Sequence, residues 1–446
     1  MDMLTEKQIQ DVLAVERTLW SMPEIGYCEY RSSEYLIKKF EELGYTVTPA
    51  KDITGFVAEL DTGIPGPTVA MIGELDALVI PSHKEADPKT GAVHACGHHI
   101  QSTIVYGVAS AFKNAGACDG LCGKVRFVIV PAEEFVKMDY REQLRKEGKI
   151  RSLGGKMEFV NRGFFDGVDM AFMIHASALS KGKYLWLDKG FNGIIRKEAV
   201  FIGRTAHANG SPHRGINALH AALGAINAAN ALRQSFRDYD TVRFSPVIKE
   251  EGCHTEGIPH KSTVVSTLGG GNFNVIKKQN EAVNRAFAGA ALSIGAALSL
   301  KQTMGYFPLN NDMGLADVLD EAMREVMGED SVERSDVLDT GATDLGDLST
   351  LIPCLHCMCT GTKGGCHSDT FCVTDPYAAC IATAEASFVA IRKLLSNGGE
   401  RAIAIKNSYK PLFADKEEYF RAASEMDKEF NAITYNGDGT AEIRYN

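Results

Sequence analysis

No stretch of this chain is apolar enough, for long enough, to span a bilayer. Its longest weakly polar run, GAALSIGAALSL at residues 289–300, is Ala- and Gly-rich and falls well short of the roughly 20 apolar residues a spanning helix needs. The first residues, MDMLTEKQIQDVLAVERTLW, lack the basic region and apolar core of a secretory signal. Positive charge is also in deficit: 47 Lys and Arg stand against 57 Asp and Glu, a net charge of -10. That balance argues against nucleic acid or an anionic membrane as the main partner. The eleven cysteines form an odd set with no export signal, which points to reduced thiols rather than a disulfide framework. No repeat and no low-complexity linker interrupts the chain. A soluble, cytoplasmic protein is the expectation.

What is present is ordinary globular material, 45% hydrophobic and 23% charged over 446 residues. That length exceeds one simple core, so two domains are expected. In the first 185 or so residues, helical spacing (DVLAVERTLWSM, SSEYLIKKFEELGY) alternates with short continuous apolar runs (TVAMIGELDAL, KVRFVIVPAEE, VDMAFMIHA). Such runs are the mark of strands buried on both faces, and their alternation with helices predicts an α/β fold with a mostly parallel sheet. From about Gly190 the texture changes. EAVFIGRTAHA, an Ala-rich helical stretch, STVVSTLGG and a second helical stretch, NVIKKQNEAVNRAFAGAALSIGAAL, predict a small α+β domain inserted in the larger one. The expected boundaries are 1–188 and 301–446 for the larger domain, with 189–300 as the insert. The last 40 residues have no predicted place.

Each apolar run of the first part ends in polar residues, and open α/β sheets build their sites at the carboxyl ends of strands. HACGHH places Cys96 and His98 two apart around Gly97, so a strand-end loop can aim both at one ion. Thiolate and imidazole suit zinc and, to differing degrees, cobalt, nickel and manganese. Read alone, the cluster is either a metal site or a polar turn with one buried thiol. VRFVIVPAEEF delivers Glu133 and Glu134 together. Neighbouring carboxylates on an extended segment point opposite ways, so one can bind a metal while the other serves as general base. His175 in MAFMIHAS and His367 in GGCHSDTF are weak signals singly. Together these residues supply enough donors for two metals sharing a bridge.

The ordered set GELDAL, HACGHH, PAEEF, IHA, GRTAHANGSPHRGINAL and GGCHSDTF resembles the M20 family of metallopeptidases and amidohydrolases. Within it, the chain looks most like the branch of aminoacylase-like, indole-acetyl-amino-acid and p-aminobenzoyl-glutamate hydrolases. LWSMPEIGYCEYRSSEYL and TGATDLGDLSTLIP fit the same branch, and the likeness spans roughly residues 10 to 395. The resemblance implies Cys96, His98, Glu134, His175 and His367 as ligands of two divalent ions, manganese or zinc first, then cobalt or nickel. It implies Glu133 as general base and Asp76 as a group orienting a ligand. His207 would reach the partner's active site in a homodimer built on the inserted domain and stabilise the oxyanion. The implied reaction is hydrolysis of an amide bond in a small N-acyl or aminobenzoyl amino acid or short peptide. A catalytically silent, ligand-binding homologue is the alternative.

The chain departs from that pattern in three places. His99 stands where Asp or Asn is usual, and is expected to support a ligand rather than be one. EGIP puts Glu256 where an asparagine lines the family's substrate pocket, and VVSTLGGG lacks the usual arginine. This pair of changes disfavours a substrate carboxylate at that spot, although Arg214 is placed to compensate unless its stretch is only a helix start. The segment CLHCMCTGTKGGCHSDTFC invites a second metal or iron–sulfur site, but IPCLHCMCTG reads better as a buried strand with thiols in the core.

Overall fold

The structure, a computed structural model, describes residues 3–179, 181–249 and 255–446. Two sheets dominate it. In chain order their strands are β1 (Val47–Pro49), β2 (Phe56–Asp61), β3 (Thr68–Glu74), β4 (Lys124–Val130), β5 (Met170–Ala176), β6 (Leu185–Leu187), β7 (Gly193–Ile202), β8 (Arg243–Lys249), β9 (Lys261–Gly270), β10 (Ala297–Tyr306), β11 (Val332–Arg334), β12 (Cys354–Cys359), β13 (Lys428–Tyr435) and β14 (Ala441–Ile443). The chain divides into two compact units. The first is Met1–Gly190 with Asn310–Val337 and Asp347–Leu412; the second is Phe191–Leu309 with Leu338–Gly346 and Phe413–Asn446.

The first unit holds the eight-stranded sheet, ordered β1-β2-β4-β3-β5-β12-β6-β11. Its centre is parallel: β3 pairs β4 and β5 in parallel, and β12 pairs β5 in parallel. Every residue of β3 and β5 is buried, as expected of continuous apolar runs covered on both faces. The helix His98–Ala111 is likewise buried all round, which explains why it shows little amphipathic pattern. The expected α/β architecture with a mostly parallel sheet is therefore the one observed. Because β3, β4 and β5 are parallel neighbours, the segments that leave their carboxyl ends emerge along one edge. Those segments carry Asp76, then Glu133 and Glu134, then His175 at the end of β5 itself.

The second unit is an antiparallel sheet ordered β8-β9-β7-β10-β13-β14, with helices Ala218–Ala231 and Phe273–Ile294. Ala218, Ala221, Ala222, Ala225 and Ala229 form the buried stripe of the first helix. Their small side chains pack with Phe201, Phe244 and Phe287 in this unit's core. Asn217 and Asn272 cap the two helices by accepting from His220 N–H and Val275 N–H.

Here the structure divides the chain differently from the sequence-based boundaries. The second helix stops at Ile294 rather than running to Leu298, because Gly295 takes a left-handed φ of 80°. β10 then runs to Tyr306, across the expected 300/301 boundary, and pairs antiparallel with β7. The tail without a predicted place forms β13 and β14, which extend the same sheet from β10. β12 is the buried strand expected at Cys354–Cys359, with Cys354, Cys357 and Cys359 inside the core. Among the described residues, no helix is long and apolar enough to cross a membrane.

Candidate metal centre

Gly97 opens the site. It caps the helix His98–Ala111 at φ 89°, and a Cβ there would lie 3.0 Å from the Ala176 Cβ at the end of β5. Only a glycine lets the loop carrying Cys96 and His98 press this closely on the strand end carrying His175. The result is a 3.3 Å contact between Cys96 Sγ and His175 Nε2.

The turn after β4 is set from below. Ala132 holds a φ of 59°, and its N–H donates to Glu29 Oε1 at 2.8 Å. Glu29 is fully buried, and burial together with the charge of Asp76 pushes its carboxyl up to about 8. Arg141, also fully buried, donates to the carbonyls of Ala132, Leu153 and Glu134. This scaffolding projects Glu133 and Glu134 to different partners. Glu134 Oε1 lies 2.8 Å from His367 Nε2, while Glu133 Oε2 lies 4.0 Å from His98 Nε2.

Asp76 orients the ligands. Its backbone oxygen and Oδ1 lie 2.9 and 3.1 Å from His98 Nδ1, and its Oδ2 accepts from Glu134 N–H at 2.8 Å. A carbonyl oxygen can only accept, so His98 Nδ1 carries a proton and Nε2 is the nitrogen left for the centre. Burial pushes His98 down, but Glu74, Asp76 and Glu133 outweigh it and hold the ring well above its usual range, so an ion bound at Nε2 would displace a proton there. His175 is arranged the same way, with Nδ1–H donating to Ala176 O at 2.9 Å. Such fixing of a ligand imidazole through its other nitrogen is a recurring feature of metal sites. Burial and the neighbouring His98 push His175 down to about 4, so it stays neutral and able to bind a cation.

Five residues expected as ligands therefore come together in two groups. Cys96, His98 and His175 offer ligand atoms within 4.8 Å of one another, as do Cys96, Glu134 and His367. Cys96 belongs to both, which is the arrangement a bridging ligand requires. The donors fit divalent ions of intermediate softness. A second observation fits a cation at this place: His98 Nε2 is buried and makes no hydrogen bond, although Glu74 Oε2 lies 3.1 Å from it. Burial pushes Glu134 up, but the adjacent His367 and His98 outweigh it and hold the carboxyl below its usual range.

Other expectations fare differently. His99 turns away to the helix Glu6–Trp20: its Nε2 lies 3.3 Å from Glu16 Oε1, and its ring packs on Trp20 and His94. Those contacts replace the expected support of a ligand. Among the described cysteines, only Cys96 enters a metal-ligand group, and β12 buries its thiols as packing. Cys366 was read only as part of the cysteine-rich segment, yet its thiol is hydrogen-bonded with that of Cys96. Sequence reasoning also passed over Glu74 and Lys156, a buried ion pair against His98. The signal for Glu74 was its place two residues before Asp76 at the end of an apolar run.

Three expected residues lie in the second unit. His207 is exposed, and its Nδ1 accepts from Gly210 N–H at 2.9 Å, leaving Nε2–H as an outward donor. Glu256 is exposed beside it: Ala208 N–H donates to Glu256 O at 2.9 Å, and His207 bridges Gly257. Arg214 ends an exposed 3-10 turn, Pro212–Arg214, just before the helix Ala218–Ala231.

The sequence model of peptidase family M20/M25/M40 matches residues 70–390. The chain is 28% identical over 360 residues to a Xaa-Arg dipeptidase of Mus musculus, covering 77% of this chain and 75% of that protein. It is 25% identical over 335 residues to an indole-3-acetyl-aspartic acid hydrolase of Enterobacter agglomerans, covering 64% and 72% respectively. In fold it is similar to a dinuclear metal-binding M20 peptidase of Bacillus subtilis, with a TM-score of 0.67, 20% identity and coverage of 87% and 99%.

Proposed function

The chain belongs to peptidase family M20/M25/M40, and on that premise we propose that it is a two-metal amidohydrolase acting through Glu133. The observation that carries this is the sharing of Cys96 between two ligand groups with Glu133 beside them. Cys96, His98 and His175 would hold one ion, and Cys96, Glu134 and His367 the other. When bound, such ions acidify a water and polarise the scissile carbonyl. Zinc or manganese suits a donor set of one thiolate, imidazoles and carboxylate.

The chain's own groups do the rest. Glu133, buried but not needed in either ligand group, takes the proton of the attacking water and returns it to the departing amine. Asp76 keeps His98 in the tautomer that offers Nε2 inward. His207 supplies Nε2–H to the developing oxyanion, and in a homodimer assembled through the second unit it does so from the partner chain. One such donor is worth about 3–4 kcal/mol.

The substrate is a small N-acyl or aminobenzoyl amino acid or a short peptide. Glu256, next to His207 in the second unit, favours a leaving amino acid with a cationic side chain over one with a second carboxylate. The name of the mouse relative, a Xaa-Arg dipeptidase, runs in the same direction. The relatives carry the names of dipeptidases, carboxypeptidases and hydrolases, which favours an active enzyme over a silent homologue. The ten described cysteines are all free, which supports a reducing, cytoplasmic setting.

The test is hydrolysis of N-acyl-amino acids, aminobenzoyl-glutamate and dipeptides ending in Arg, Lys, Glu or Leu, with added zinc, manganese or cobalt. Metal-dependent release of an amine that disappears in Glu133→Ala is the expected result. Silence across the panel with no bound metal would remove the reading.

A further inference from the structure

Glu74 ends β3, two residues before Asp76, and only 1% of it is exposed. Its two oxygens have separate duties. Oε1 is paired with the ammonium of Lys156, which is itself fully buried on the helix Gly155–Asn161. Oε2 accepts from Gln101 Nε2–H at 2.8 Å and lies 3.1 Å from His98 Nε2. The backbone oxygen of Glu74 accepts from Ser102 Oγ at 2.6 Å, so the carboxylate is clamped at its base as well.

The contact with His98 is the informative one. Asp76 engages His98 Nδ1, so Nε2 is the nitrogen turned toward Glu74. Glu74 Oε2 lies 3.1 Å from it, and Nε2 makes no hydrogen bond. A buried carboxylate oxygen this close to an imidazole nitrogen shares a cation with it, either a proton or a metal ion in the proton's place. The Lys156 ammonium sits on the other oxygen and cannot fill this role. Moreover Glu74, His98 and Glu133 offer ligand atoms within 4.8 Å of one another.

Resting on the two-metal reading above, we propose that Glu74 is an additional metal ligand, binding the ion held on His98 Nε2, with Lys156 as its positioning residue. Lys156 fixes Oε1 and keeps the carboxylate anionic, so that Oε2 alone is offered to the ion. The ion on the His98 side then has an oxygen ligand in addition to the thiolate and imidazoles.

The experiment compares the wild-type protein with Glu74→Gln and the double variant Glu74→Gln/Lys156→Met. Each is loaded with zinc(II), and affinity is read by competition with a chromogenic chelator. Each is then loaded with cobalt(II), and the visible absorption spectrum is recorded. The double variant is included because Glu74→Gln alone leaves Lys156 buried without its counter-charge, which can prevent folding. The expected result is that one of two bound ions is weakened roughly tenfold or more and that the cobalt spectrum changes, in the double variant as well as the single. Wild-type affinity and spectrum in the double variant would make Glu74 merely the counterion of Lys156 and overturn the proposal. A wild-type protein that binds no zinc at all would overturn both this proposal and the metal-centre reading beneath it.

Discussion

Asp76 Oδ2 accepts the Glu134 N–H at 2.8 Å while its Oδ1 stands 3.1 Å from His98 Nδ1. One buried carboxylate thus aligns two candidate ligands, one from the helix after β3 and one from the turn after β4. Asp76→Ala should lower metal affinity by about 10–100-fold, measured by competition with a chelator. Unchanged affinity would separate Asp76 from ligand orientation.

Glu133 and Glu134 are neighbours in sequence with different work. Glu133→Gln should lower kcat by about 10²–10⁴-fold while metal content stays at the wild-type level. Glu134→Gln should lose metal from the Cys96–His367 side, because that carboxylate lies against His367. Elemental analysis beside steady-state kinetics distinguishes the two, and the same deficit in both variants would refute the division of labour.

His207 acts from a surface position, with its Nδ1 engaged by Gly210 and its Nε2–H directed outward. Alone, His207→Ala should cost about 10²–10³-fold in kcat. If the histidine serves the partner's site, mixing His207→Ala with inactive Glu133→Ala subunits should restore part of the activity. A mixture no more active than its components would show that His207 does not act in trans.

Lys197 of β7 is buried, donating to Asn280 Oδ1 at 2.6 Å and to Asn284 Oδ1. Gln302, its cross-strand neighbour on β10, accepts from Nδ2–H of both asparagines. Burial pushes Lys197 down to about 7, from an ordinary 10.5. Between those values the unfolded chain holds a proton that the folded chain does not, so stability rises with pH through that window. The melting temperature of the metal-free protein should therefore climb from pH 7 toward pH 10, and this slope should flatten in Lys197→Met. An identical slope in the variant would place the titration elsewhere.

The primary structure by itself determined which segments would be the central strands and where the chemistry would emerge. β3, β4 and β5 are continuous apolar runs, and a run that cannot expose either face must lie inside a sheet. A polar residue at the end of such a run, as in Glu133, Glu134 and His175, is then carried to the sheet's edge. The ordered motifs did the rest for the family. What only the tertiary structure decided were relations between residues far apart in the chain. Lys156 reaches Glu74 across 82 positions, and no local period announces a partner at that distance. β10 and the tail strands β13 and β14 join the second unit because edge pairing depends on which backbone is left open, not on side-chain pattern. His99 faces Glu16 and Trp20 rather than a metal ligand because one step along a helix turns a side chain by about 100°, away from the direction His98 takes.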